Sequence, residues 1–283
     1  MRSSYLLTLL TLCSLPLTLN SCVTQATATP VSATSNSNSI LPTLSNAQKL
    51  KIGNKIWKNE SAGKISGLTA WNVGEEFPSM GIGHFIWYPA NYNGPFTESF
   101  PAFIKYAQSK GRTDIPAWVL KSPDCPWQSR ASFQRDMQKA HLTSLRSFLS
   151  STVELQTEFI MYKSRAALKK MLRTVSTSEQ TRIRSNYAKV AATANGTYAL
   201  IDYVNFKGEG INPKERYNGK GWGLLQVLQN MKTVSSGQAA AREFAASAKR
   251  TLERRISNSP AARGEKRWRE GWHNRCDTYA KSL

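Results

Sequence analysis

The sequence predicts a mainly α domain that carries a small β-hairpin or sheet near its N-terminus. From residue 46 onward, apolar side chains recur mostly at helical spacing. The stretch 61–88 differs, because Gly, Ser, Trp and Val replace the helix formers there, which is typical of short strands joined by turns. No internal repeat or second linker interrupts the later segments, so we expect one domain over 46–283.

The first helix is expected from Asn46 to about Glu60, and two or three short strands should follow it. The apolar residues of this helix are expected near one face: Leu50, Ile52, Ile56 and Trp57. Later helices are expected at about 98–110 with Thr97 as N-cap, 130–150, 153–173, 177–194 with Ser176 and Glu179 at capping-box spacing, 197–206, 222–233 and 238–257. Loops rich in Pro and Gly are expected at 89–95, 111–126, 207–221 and 258–273.

Residues 1–21 have the pattern of an export signal. One arginine precedes an apolar run from Tyr5 to Leu19 that is short for a membrane span. The run ends in Leu-Asn-Ser-Cys, which resembles the bacterial lipoprotein signal, and that resemblance implies lipidation of Cys22. Residues 22–45 are uncharged and rich in Ser, Thr, Asn, Ala and Pro, which indicates a disordered tether. We therefore expect an exported protein of the periplasm or cell envelope that is bound to a membrane by its N-terminal lipid.

Two cysteines, Cys125 and Cys276, remain in the predicted domain. In an oxidising compartment they could form one disulfide that closes a very long loop, and the alternative is two free buried thiols. No cluster of Cys and His has the spacing of metal ligands, so we expect neither a metal nor a cofactor.

The formal net charge of +20 is large for 283 residues. Basic residues are spread along the predicted helices, and no signature of a nucleic-acid-binding fold accompanies them. Because the chain is expected outside the cytoplasm, we predict no nucleic-acid partner and a general affinity for the anionic cell envelope. We expect the protein to be a monomer.

The most informative motif is the segment LTAWNVGEEFPSMGIGHF, residues 68–85. It resembles the strand-turn-strand of phage-type lysozymes, which reads L-x-x-Y-x-D and then T-x-G-x-G-H. When the two are aligned on Gly81-Ile82-Gly83-His84, the matching residues are Leu68, Trp71 and Ser79 for the family's Leu, Tyr and Thr. Glu60 falls on the catalytic glutamate, with four extra residues before Leu68. The resemblance covers about residues 50–88, and it implies a lysozyme-like catalytic domain that cleaves the glycan strand of peptidoglycan.

The chemistry of glycoside cleavage explains these residue types. The general acid must stay protonated near neutral pH, so a partly desolvated Glu60 near Trp57 and Trp71 would suit that role. The glycines of the motif would let a sugar lie close to the strand backbone. Inverting hydrolysis also needs a second carboxylate that activates water.

The sequence departs from the family where this second carboxylate is expected, because Val73 occupies the position of the family's Asp. One alternative is another carboxylate, either Glu75 or Glu76 in the same hairpin, or Glu209 from a distant segment. The other is a lytic transglycosylase, in which the sugar's own 6-hydroxyl attacks and one glutamate serves as acid and then as base. The sequence leaves these alternatives open.

The segment around Glu209 shows a second, fainter resemblance, to lytic transglycosylases. The residues that match are Glu209, Pro213, Gly221, Gly223-Leu224-Leu225 and Gln226. Gly210 stands where the family has Ser, and Lys207-Gly208 interrupt the helix that should present the acid. The alternative is that Glu209 caps a glycine-rich surface loop and that the two leucines belong to the core.

Several further residues are candidates for binding the substrate: Ser79, His84, Trp71, Asn72, Gln226 and Trp222. Ser79 could position a water or a sugar hydroxyl, and His84 is more typical of a residue that orients a neighbour. Trp71 and Trp222 could stack on sugar rings or belong to the core. Glu75 and Glu76 could instead be ordinary solvated acids of a turn.

Three rival functions follow from the same sequence. A chitosanase-like hydrolase shares the superfamily, but a basic protein would repel its cationic substrate. A non-catalytic peptidoglycan-binding lipoprotein on a lysozyme-like scaffold would explain Val73. A nucleic-acid binder fits the charge but not the export signal.

Overall fold

The computed structural model describes residues 41–94 and 96–283 of this chain. These residues are mainly helical and carry one small antiparallel sheet near the start, as the sequence predicts. The α-helices of this part are α1 (Asn46–Ser61), α2 (Phe100–Ser109), α3 (Ala117–Leu120), α4 (Arg130–Arg135), α5 (Ala140–Ser151), α6 (Val153–Leu172), α7 (Thr177–Ala191), α8 (Ala194–Lys207), α9 (Leu224–Gln229), α10 (Gln238–Asn258) and α11 (Arg269–Tyr279). The predicted export signal over 1–21 and the proposed lipid at Cys22 lie outside the described residues, as does the tether up to residue 40.

The start of the described chain corrects the boundary of the predicted tether. Leu41 and Leu44 are buried among the core side chains, although 22–45 was expected to be disordered throughout. Two buried leucines give this short segment enough apolar contact to offset its ordering entropy. The folded part therefore begins before Asn46.

Helix α1 places Glu60 at its C-terminal end. A capping box between Ser45 and Gln48 starts the helix, and Ala62 ends it in a left-handed conformation. Ile52 and Ile56 are buried as predicted, whereas Leu50 is exposed. The exposed position follows because α6 covers only one side of α1, the side that bears the buried residues.

A glycine in α1 permits this close packing. An added Cβ at Gly53 would lie 2.4 Å from Thr157 Oγ1 of α6, so a larger residue would push the two helices apart. Helix α8 also contacts both α1 and α6. These three helices thus fix the end of α1 relative to the end of α8.

The sheet consists of β1 (Thr69–Ala70), β2 (Ser79–Met80) and β3 (Phe85–Ile86), paired antiparallel in that order. Ser79 pairs with Ala70 on one side and with Ile86 on the other. Gly81-Ile82-Gly83-His84 forms the turn between β2 and β3, not a strand as its alignment suggested. The turn is closed by His84 N–H, which donates to the carbonyl of Gly81 at 3.2 Å.

Three helix predictions and a loop prediction need correction. Residues 130–150 form two helices, α4 and α5, and the segment 222–233 contains only the short α9. The N-cap position of α2 is Ser99, not Thr97. The predicted loop 258–273 contains two 3₁₀ turns and the start of α11, whose buried side chains were hidden among many charged residues.

The possible disulfide is wrong. Cys125 and Cys276 are both free and buried. The Cys125 thiol donates to the carbonyl of Trp127 at 3.6 Å, in an aromatic cluster beside the sheet, whereas Cys276 lies in α11 on the helical side. Burial raises the pKa of each thiol to about 12, so each one packs as a small apolar group. No helix in the described part of the chain is both long and apolar enough to cross a membrane.

Candidate functional site

Glu60 is the centre of a polar group that draws on distant parts of the chain. Arg275 Nη2 donates to Glu60 Oε1 at 2.6 Å, and Asn205 Nδ2 donates to the same oxygen at 3.1 Å. His84 Nδ1 lies 3.6 Å from the second oxygen, Oε2. The Glu60 side chain is only 16% exposed. Its carboxylate thus sits where α1, the Gly81–His84 turn, α8 and α11 meet.

Arg275 connects Glu60 to a second carboxylate. Its Nε and Nη2 donate to the two oxygens of Asp202, each at 2.9 Å, and this carboxylate is fully buried. Tyr279 Oη also donates to Asp202, at 2.6 Å. Burial alone would lower the pKa of Arg275, but the charges of Asp202 and Glu60 raise it well above its ordinary value. The guanidinium is therefore a fixed positive charge between two acids.

Asp202 and Arg275 are functional candidates that the sequence analysis missed. Asp202 lies in the middle of the buried face of α8 and is paired with Arg275. Arg275 lies in a segment with no recognisable motif, 215 residues after Glu60. The charge at position 202 within the otherwise uncharged segment YALIDYV was the available signal, because a charge on a buried helix face needs a partner.

His84 has a strained backbone at this site. Its φ of +46° lies in the left-handed region, which a residue with a Cβ adopts at a cost of roughly 1–2 kcal/mol. Its Nε2 is buried and has no hydrogen-bond partner among the described residues. The conformation directs Nδ1 toward Glu60, which is consistent with the expected role of orienting a neighbour.

The glycines of the motif face protein, which corrects their expected role. An added Cβ at Gly81 would lie 2.2 Å from Gln156 Oε1, and one at Gly83 would lie 2.7 Å from Phe85. Gln156 is fully buried in α6, and its Oε1 accepts from Ile82 N–H at 2.9 Å. The glycines therefore let the turn dock on α6; they do not open its backbone to a sugar.

The β1–β2 loop carries the other candidates of the hairpin. Val73, at the position of the missing Asp, is 84% exposed. Glu75 Oε2 accepts from Asn72 Nδ2 at 3.1 Å, within the loop itself, and Glu76 is exposed. Trp71 is buried and its Nε1 donates to the Glu75 carbonyl at 2.7 Å, so its ring serves the core and anchors the loop.

Ser79 lies in the middle strand and is 4% exposed. By strand alternation it shares a face with its pairing partners Ala70 and Ile86, both of which are half-buried. The opposite face bears the core residues Thr69, Met80 and Phe85. Ser79 is thus on the more open face of the sheet, although largely covered.

Glu209 occupies a loop that is built from main-chain contacts. Gln226 is buried, donates from Nε2 to the Gly210 carbonyl at 3.0 Å, and accepts at Oε1 from Gly223 N–H at 3.0 Å. Leu225 N–H donates to the Glu209 carbonyl. The Glu209 carboxylate itself accepts from Lys170 at 3.1 Å, and this lysine side chain is 57% exposed. Gln226 is therefore a structural clamp for the loop.

Trp222 belongs to a stack of aromatic rings and cations beside the site. The Arg255 guanidinium lies 4.1 Å from the Trp222 ring centre and 5.0 Å from that of Trp272. Lys207 Nζ follows, at 3.7 Å from Trp272 and 4.0 Å from Phe206. The stack ends with Arg275, whose guanidinium lies 4.3 Å from the Phe206 ring centre. Trp222 is thus a buried stacking partner of Arg255.

Lys207 has an unusual environment within this stack. The two aromatic faces attract its ammonium, but burial and the positive charges of Arg255 and Arg275 oppose it. Burial is the largest of these effects, and together they lower the pKa of Lys207 to about 7.

Two further observations bear on this site, one on metal ligands and one on similar proteins. Within residues 41–94 and 96–283, no group of three or more His, Cys, Asp or Glu side chains is placed to hold a metal ion. In comparisons with protein-family models, curated proteins and solved structures, the chain has no significant match.

Proposed function

We propose that this protein is a cell-wall lytic enzyme that cleaves the glycan strand of peptidoglycan, with Glu60 as its general acid. The observation that supports this most is that the sequence resemblance and the side-chain contacts of the fold select the same residue, Glu60. The sequence resemblance selects this glutamate, and the fold surrounds the same carboxylate with His84, Asn205 and Arg275. The partners of Glu75 and Glu209 are an asparagine of the same loop and an exposed lysine.

The hydrogen bonds of Arg275 are shared unequally between the two acids. Asp202 receives two of them and Glu60 receives one. Glu60 Oε2 takes part in none of these hydrogen bonds, because Oε1 accepts those from Arg275 and Asn205. Oε2 would protonate the glycosidic oxygen of the substrate.

A second candidate activity is lytic transglycosylation, and the environment of Val73 favours it. An inverting hydrolase would hold a second carboxylate roughly 6.5–9.5 Å from the acid to activate water. The exposed Val73 supplies none, and Glu75 is engaged by Asn72. Attack by the sugar's own 6-hydroxyl would remove the need for that group, with Glu60 first as acid and then as base.

Digestion of purified peptidoglycan by the full-length protein tests both candidates. Mass spectrometry of the released fragments separates reducing ends, produced by hydrolysis, from anhydro ends, produced by transglycosylation. We expect Glu60→Gln to abolish release while Glu270→Gln, the same change at an exposed position, leaves it intact. Binding to peptidoglycan with no released fragment from the wild type would establish the non-catalytic alternative instead.

We also propose that the chain is exported and anchored by a lipid on Cys22. The support is the apolar run that ends at this cysteine, followed by an uncharged polar segment. The expected result is that Cys22→Ser moves the protein from the membrane fraction to the soluble fraction. An unchanged distribution would contradict the lipid anchor without bearing on the enzyme.

A further inference from the structure

A basic pocket lies apart from the group of residues around Glu60. Its volume is about 400 Å³, and four of the residues that line it are cationic. The side chains that define it are those of Arg182, Arg216, Lys220, Arg254, Gln229 and Asn230. Among the described residues that line this pocket, none is acidic and none is aromatic.

The four cations come from separate elements of the fold. Arg182 lies in α7 and Arg254 lies in α10. Lys220 ends the tight turn at 217–220, and Arg216 directly precedes this turn. Neighbouring positive charges repel, so their convergence from three elements costs free energy that a ligand of opposite charge would recover. A basic stripe along one helix would not require such convergence.

The turn beside Arg216 and Lys220 is closed by several hydrogen bonds. Tyr217 and Lys220 exchange two backbone hydrogen bonds, at 3.1 and 2.9 Å. The two residues between them, Asn218 and Gly219, both have positive φ, as a two-residue hairpin turn requires. Arg216 Nη1 also donates to the Gly219 carbonyl at 3.4 Å. These contacts hold the turn in a single conformation.

Arg254 is positioned but incompletely paired. Its Nη2 donates to the Gly221 carbonyl at 3.2 Å, while its Nε is buried without a hydrogen-bond partner among the described residues. One carboxylate contacts the lining side chains: Glu179 lies 3.5 Å from Arg182 and also accepts from Gln229. Counted on these four cations and this acid alone, the excess is three positive charges (4 − 1 = 3).

We propose that this pocket binds phosphate groups. Three guanidinium groups supply planar pairs of donors that match the oxygens of a phosphate, and the excess charge suits a ligand with more than one negative charge. The lack of aromatic side chains among its lining residues makes it a poor platform for a neutral sugar. The phosphate could belong to a small phosphomonoester or to a phosphodiester polymer, and the pocket is open to both chemistries.

The test is calorimetric titration of the full-length protein with pyrophosphate, at an ionic strength held constant with sodium chloride. The variant is Arg216→Gln/Lys220→Gln, and the control is Lys51→Gln/Lys121→Gln; all four positions are exposed and both variants lose two charges. Removal of two charge-assisted contacts should weaken binding by about ten-fold or more, while the control should change it by about two-fold or less.

Three results would overturn the proposal. One is the absence of binding, another is an equal loss in both double variants, and the third is equal affinity for citrate. Titration with poly(glycerol phosphate) identifies the source of the phosphate: binding that the pocket variant loses supports a polymer, and binding of pyrophosphate alone supports a phosphomonoester. Glu60→Gln should bind pyrophosphate like the wild type, so this result is independent of the proposed glycan cleavage.

Discussion

Glu60 lies at the end of α1 and Glu209 lies just after α8, and these two helices contact each other, yet the surroundings of the two glutamates differ. Glu60 is the penultimate residue of α1 and is held by side chains from positions 84, 205 and 275. Glu209 follows α8 after Gly208, and its carboxylate contacts an exposed lysine. The main chain of Glu209 is well fixed, but its carboxylate is not.

The fold therefore fixes the position of the Glu60 carboxylate through several side chains, whereas it fixes only the main chain at Glu209. Catalysis requires an acid held in a defined place relative to its substrate. At Glu60 the fold maintains a strained His84 and a buried Arg275–Asp202 pair, both of which cost free energy unless they are compensated. At Glu209 the ordered parts are the glycines and Gln226, which stabilise a loop.

The largest loss of stability is expected from Arg275→Leu. This change leaves Asp202 buried without its cation, so we expect the free energy of unfolding to fall by about 3–5 kcal/mol. Urea denaturation measures the loss. Arg242→Leu, at an exposed position, should change the value by less than about 0.5 kcal/mol. Equal effects of the two variants would show that Arg275 does not hold the Glu60 region together.

A smaller loss of stability is expected from Gln226→Leu, which alters the loop that carries Glu209. The change leaves the Gly210 carbonyl and the Gly223 N–H unpaired in a buried place, which should cost about 2 kcal/mol. Gln134→Leu, at an exposed position, serves as the control for the same denaturation experiment. If Gln226 instead contacts substrate, the variant should keep its stability and lose peptidoglycan affinity.

Lys207, which lies in the aromatic stack that ends at Arg275, makes the stability of the fold depend on pH. Because the pKa of Lys207 is lowered from 10.5 to about 7, the unfolded chain binds more protons between these two values. The contribution of Lys207 to stability therefore rises with pH from about 7 to about 10.5.

The variant Lys207→Met removes this titration. We expect it to raise the melting temperature relative to the wild type at pH 6, and the difference should shrink by pH 10. Lys51→Met, at an exposed position, should show no such trend. A difference that is constant with pH would mean that the ammonium is not desolvated in the aromatic stack.

The sequence could predict those features of the molecule that depend on local pattern. The fold class and the course of α1 follow from helical spacing, and the Ser176 cap at Glu179 follows from a local motif. The resemblance over 50–88 places Glu60 at the end of a helix, and the structure agrees on that position.

The rest depends on contacts between distant residues. Nothing local marks Arg275 as the partner of Glu60, since 215 residues separate them. The glycines of the Gly81–His84 turn were interpreted as room for a sugar, because a pattern does not reveal that Gln156 occupies the space. The disulfide was an open alternative for the same reason: cysteine count and compartment do not say which thiols meet.

The most direct test compares Glu60→Gln with Glu209→Gln on purified peptidoglycan, with both variants matched to the wild type in melting temperature. Each change removes one acid and keeps the shape of the side chain. The positioned acid should be essential, so we expect Glu60→Gln to release no fragments and Glu209→Gln to stay within about three-fold of the wild-type rate. Fragment release by Glu60→Gln at the wild-type rate would contradict the assignment of Glu60 as the catalytic acid.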